Sequence, residues 1–220
     1  MRKMGRAGCL MLAVLAGAAR GADAPKANGA KIEVKVDLRV ELISIVFRLA
    51  GNPEYNMANS KSPYATDVEE HFGKFRDHAA VQMARDLRSQ RGISYDAPMN
   101  LAVHLDELFP PVPRTALDPR PALLDERWTS PDATKFIAAL GVFAKDSDFA
   151  QFFDRHKEQY AACADKLGAL VNADPIVPFF DEYFGKRPTA HYGVAVGMLC
   201  GGGIMACRCG TPTAAKTSCR

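Results

Sequence analysis

From Lys31 to Val36 apolar and polar side chains alternate, which places Ile32, Val34 and Val36 on one face of a strand. The period then lengthens to that of a helix. Asp37 is expected to cap a helix whose apolar residues Leu38, Leu42, Ile45, Val46 and Leu49 share a face and which stops at Gly51. Asn52 to Pro63 reads as a polar loop. Helical spacing returns over 64–75, with Val68, Phe72 and Phe75 on one side, and over 79–89, with Val81, Ala84 and Leu87 ahead of Gly92. Asp77 is expected to cap the second of these helices. Asp96 is expected to cap the next, 97–108, which carries Leu101, Val103, Leu105 and Leu108. Five prolines between Pro110 and Pro121 exclude a helix there and mark an internal seam. Ser130, Pro131 and Asp132 then supply the cap, first-turn proline and first-turn acid of a helix running to Ala144.

The spacing predicts one long helix over 149–171, with Phe152, Phe153, Tyr160, Leu167 and Leu170, and a short one over 176–184 that Gly185 ends. Phe149, Phe152, Phe153, Tyr160, Phe179, Phe180, Tyr183 and Phe184 recur at helical spacing and are expected in the core. Residues 191–199 are small, β-branched and glycine-rich, which suits a buried strand ending at the glycines 201–203. The pattern is α+β and predominantly helical, with about seven helices. An N-terminal strand and helices are followed by the first strand of an incomplete sheet, since two strands alone are marginal. The unfinished sheet, followed by a stretch without periodicity, suggests that the reading frame changes near Gly203. Codons for Ile204-Met205-Ala206 read one base earlier can give Asn-Tyr-Gly, a turn sequence that would let the sheet continue.

The two ends read differently from the body. Residues 1–21 have the grammar of a secretory signal: basic Arg2, Lys3 and Arg6, a short apolar run around Cys9, then small residues, with cleavage expected after Gly21. That run is too short to span about 30 Å of hydrocarbon as a helix. Residues 22–30 read as a linker, 31–203 as the domain and 204–220 as a loose, cysteine-rich tail. Cys200, Cys207, Cys209 and Cys219 crowd the C-terminal end without the spacing of a zinc knuckle or a thioredoxin site, and the sequence does not fix their pairing. The formal charge of +3 comes from the ends: residues 22–203 hold 21 basic against 25 acidic side chains. A body of that sign is a poor partner for nucleic acid. The expectation is an exported protein, periplasmic or extracellular, that engages neither nucleic acid nor, once the signal is removed, a membrane.

Four stretches taken together resemble a known family: Val36–Val46 (VDLRVELISIV), Tyr64–His78 (YATDVEEHFGKFRDH), Ile93–Pro98 (ISYDAP), and Tyr192–Val196 (YGVAV) leading to the glycines 201–203. In their order and combination they are similar to the N-terminal half of the exported bacterial domain-of-unknown-function family four-nine-three-two. The resemblance covers residues 31–203. Its members generally continue into a His-Glu-x-x-His helix, which implies a zincin-like metallopeptidase acting on a peptide or protein.

That chemistry needs two histidines one helical turn apart on zinc, with the intervening glutamate activating the bound water. The sequence contains no His-Glu pair, so no catalytic or metal-ligating residue is assigned, and no cofactor is expected in this chain. Zinc is expected only in a longer, frame-restored form. His71, His78, His104, His156 and His191 each read more simply as isolated structural side chains. Two readings follow. In one the chain is the front part of a zinc-metallopeptidase-like protein, inactive as written. In the other it is a non-enzymatic exported helical module that binds peptide or glycan through loop aromatics, Tyr55, Tyr64, Tyr95 and Trp128. Structural packing is the competing account of those four rings.

Overall fold

The computed structural model describes residues 31–57, 62–106, 109–186 and 192–200. It is predominantly helical α+β, with a small two-stranded sheet. Strand β1 (Glu33–Val36) leads through Asp37, whose carboxylate accepts the Arg39 N–H, into α1 (Leu38–Leu49). The sequence assigns α1 one apolar face, but Val40, Ile43 and Phe47 are buried as fully as Leu42, Ile45 and Val46. A helix surrounded on every side must be central. Around it lie α2 (Pro63–Phe72), α3 (Ala79–Arg91) and α4 (Asp96–Val103), and α5 (Ser130–Asp146) packs on α3.

Rings fill the space between these helices. Phe47 of α1 sits 5.8 Å from Tyr55 and 5.7 Å from Phe136, and Phe136 lies 5.5 Å from Trp128, centroid to centroid. A second group gathers on Phe72, which meets Phe143, Phe149 and Phe152.

Several expected boundaries move, each for a local reason. The α2 pattern ends at Phe72, and 73–75 tighten into a 3₁₀ turn. Asp77 does not cap α3; His78 does, its Nδ1 accepting the Ala80 N–H. Asp96 is likewise inside α4, and its carboxylate is drawn instead to Arg127. Helix α4 stops at Val103, because Leu105 leaves it to form an antiparallel bridge with Pro113. Thr129 caps α5 in place of Ser130, accepting the Asp132 N–H, and the helix reaches Asp146. The proline-rich stretch is non-helical as expected but is no seam. One hydrophobic core runs across it, taking in Leu117, Leu124 and Trp128.

The long helix expected over 149–171 is two, α6 (Phe149–Arg155) and α7 (Lys157–Val171). The break falls at His156, whose ring nitrogen Nδ1 turns back to within 2.9 Å of the Phe152 carbonyl. Helix α7 packs on β1. Helix α8 (Ile176–Phe184) follows, then β2 (Gly193–Val196). Strands β1 and β2 pair in parallel, Glu33 opposite Gly193 through Val36 opposite Val196. Asn172 secures the start of β1, its Oδ1 accepting the Ile32 N–H and its Nδ2 donating to the Ile32 carbonyl. The expected strand over 191–199 is thus shorter. His191, residues 201–220 and the expected signal lie outside the described residues.

Candidate functional site

The strongest concentration of ionisable chemistry sits where the helical body meets the end of β2. Glu41 lies three residues after Leu38 and four before Ile45, so α1 points its carboxylate inward with the apolar face, and it is fully buried. Oε2 accepts the Tyr64 O–H from α2, and Oε1 accepts the backbone N–H of Met198, two residues past β2. The Tyr64 hydroxyl is also 2.8 Å from the Tyr160 hydroxyl of α7. One carboxylate therefore ties α1, α2, α7 and the β2 turn together.

Burial pushes the Glu41 carboxyl up to about 7, outweighing the downward pull of the Tyr64 and Met198 hydrogen bonds. Burial likewise raises both phenols, and Glu41 beside them adds to it. The Cys200 thiol, packed in the same corner, is pushed up to about 12 by burial and by Glu41, which leaves it a poor nucleophile. Burial would raise Asp37 too, but the Arg39 guanidinium beside it holds its carboxyl below the usual value.

Above this network opens a cleft of about 440 Å³, lined by Asp67, Glu70, His71, Phe152, Arg155 and His156. His71 Nε2 is 2.7 Å from the Ser147 carbonyl and its Nδ1 is 3.1 Å from the Arg155 guanidinium. Both ring nitrogens are therefore engaged within the fold. His156 sets Nε2 3.1 Å from the Asp67 carboxylate and Nδ1 against the Phe152 carbonyl. His104 Nδ1 lies 2.8 Å from the Asn100 carbonyl. Among the described residues no three His, Cys, Asp or Glu side chains are grouped to hold a metal ion. Each histidine described here makes a hydrogen bond within the fold.

The four loop aromatics do not form a groove. Tyr55 and Trp128 are core side chains, the first donating to the Tyr95 carbonyl and the second to the Ala97 carbonyl. Tyr64 is buried against Glu41, and Tyr95 alone is exposed. Tyr55 and Trp128 sit beside loops yet turn inward, and Tyr64 lies on α2. Glu41 escaped the sequence reading, although an acid among apolar residues on a helix face was its signal.

A second feature lies at the surface. Glu33 N–H donates to the Tyr192 carbonyl and Asp37 N–H to the Val196 carbonyl. The alternation of a parallel ladder then turns the N–H and C=O of Gly193 and Ala195 away from β1. No other described strand pairs with β2. Beside it, α8 leaves Phe179 60 %, Tyr183 73 % and Phe184 63 % exposed, contrary to their expected place in the core. Apolar residues including Phe109, Val112, Ile137 and Val142 line a further groove of about 730 Å³ between the proline-rich stretch and α5.

No family model, no curated protein and no solved structure matches the chain. The chemistry of the site therefore rests on its geometry. Among the described residues no helix is long and apolar enough to cross a membrane.

Proposed function

We propose that the chain is an exported scaffold that recognises a polypeptide and does not by itself cleave it. The observation that carries this is a division of labour between interior and surface. The described histidines and the buried carboxylate are spent on internal hydrogen bonds, whereas main-chain groups of β2 that no other described strand pairs, and the rings of α8, face outward. Backbone donors and acceptors in an extended row favour a peptide over a glycan as partner.

The test uses the full chain, equimolar zinc and reduced, carboxamidomethylated lysozyme as a basic unfolded probe. The unfolded lysozyme should co-elute with the chain in gel filtration and remain uncut. Zinc-dependent cleavage by this chain, or unfolded lysozyme that elutes apart from it, would overturn the proposal.

A further inference from the structure

We infer that the outer edge of β2 is the docking line for an extended, basic peptide segment, which adds to the sheet as a third strand with its apolar side chains over α8. This rests on the scaffold reading and names its partner. Three observations converge on it.

The first is the edge itself. Gly193-Val194-Ala195-Val196 carries no lysine, no proline and no bulge, the devices that normally blunt an edge strand. Its outward N–H and C=O groups at Gly193 and Ala195 are met best by another strand, which restores the row of hydrogen bonds that water otherwise makes. The side chains at these two positions are a hydrogen and a methyl, so neither obstructs the approach.

The second is continuity. By alternation Tyr192, Val194 and Val196 share a face of the sheet. The Tyr192 ring lies 6.2 Å from Phe180 of α8, and Phe179 and Tyr183 stack on the neighbouring surface at an interplanar angle of 17°. Every second side chain of an added strand would therefore come down on an aromatic surface already exposed to water.

The third is charge. The same helix carries Asp181 and Glu182. The cations nearest the edge, Lys35, Arg39 and Arg114, line the pocket on the Gly193 and Ala195 side, with Glu33 and Asp37 among them. On the α8 side a basic segment is the complementary partner, and its charges would steer it to that face.

The probe is a fluorescent synthetic peptide alternating valine and lysine, added to the full chain at low salt and followed by anisotropy. Amide exchange at residues 193–196 is read in parallel. Binding should saturate, slow exchange of the Gly193 and Ala195 amides, and weaken on replacing lysine by glutamate. N-methylation of the amides that face β2 should weaken it about tenfold, the loss of one or two hydrogen bonds. The double variant Phe179→Ser, Tyr183→Ser should also bind more weakly, and its exposed sites leave the fold intact. Equal binding of the N-methylated peptide, or protection elsewhere than β2, would overturn the inference. So would a peptide-free dimer with the same two amides protected, which would give the edge to a second copy. If unfolded lysozyme is retained while β2 stays unprotected, the edge inference fails and the scaffold reading stands. If unfolded lysozyme is not retained, the scaffold reading fails.

Discussion

Helices α6 and α7 and helix α8 carry the same signature of aromatic rings at helical spacing, and they end in opposite environments. Phe149, Phe152 and Tyr160 are almost wholly buried, whereas Phe179, Tyr183 and Phe184 stand mostly in water. The difference is the supply of partners. Helices α6 and α7 have α5, α2 and β1 to lie against; α8 touches the rest chiefly through Phe180 and Tyr192. Leaving three rings in water forgoes about 1.5–3 kcal/mol for each. An amphipathic pattern shows which face of a helix seeks cover, and only the tertiary structure shows whether cover is there.

Truncating a ring in each region is the most direct way to break this contrast. Trp128→Ala in the sealed body empties a fully buried site and orphans the Ala97 carbonyl, and should cost about 3–5 kcal/mol in urea denaturation. A loss below 1 kcal/mol would mean that the body is not the rigid half.

The next effect separates the two regions by pH. Burial raises the Glu41 carboxyl from 4.5 to about 7, so the folded chain holds this proton more tightly than the unfolded one. The stability it contributes is complete below pH 4.5 and is lost as pH rises through about 7, with an amplitude of about 3 kcal/mol. Glu41→Gln keeps an acceptor for Met198 and should flatten urea stability across that window. An unchanged slope in the variant would assign the titration to another group.

A smaller change probes the joint between the regions. A Cβ on Gly197 would meet Cys200 and come 2.7 Å from Val40 Cγ1, so Gly197→Ala should cost about 1–3 kcal/mol and loosen β2 ahead of the helices. Amide exchange that quickens evenly throughout would contradict the idea of a separable ledge. The smallest effect belongs to the open side. Phe179→Ser with Tyr183→Ser should shift stability by no more than about 0.5 kcal/mol, as surface replacements do. A thermal shift as large as that of Trp128→Ala would show that α8 is covered after all.

Much of the fold was legible because it rests on local periods. The strand at 33–36, the helix after Asp37 and the αL stop at Gly92 follow from side-chain spacing and backbone chemistry. What stayed hidden was long-range. Nothing near His156 in sequence announces that its ring turns back on Phe152 and reaches Asp67, and so splits one expected helix into two. Tyr55 and Trp128 looked like surface rings because they sit beside loops, and Tyr64 because it opens α2, yet all three are buried. The Glu41 network is harder still to foresee, since its parts come from α1, α2, α7 and the turn after β2.

The pairing of Glu33–Val36 with Gly193–Val196 also fixes an order of assembly. β1 leaves the ribosome early and its only described partner strand comes last, with the entire helical body made in between. Contacts this remote in sequence close slowly, because the chain must lose the entropy of a very large loop before they form. The helices can collapse first on their local contacts, while β1 waits with its hydrogen-bonding groups open to any neighbouring nascent chain. The two-stranded sheet is then expected to close last, after the helical body has formed. The strand that completes it is thus also the one whose outer edge no other described strand covers.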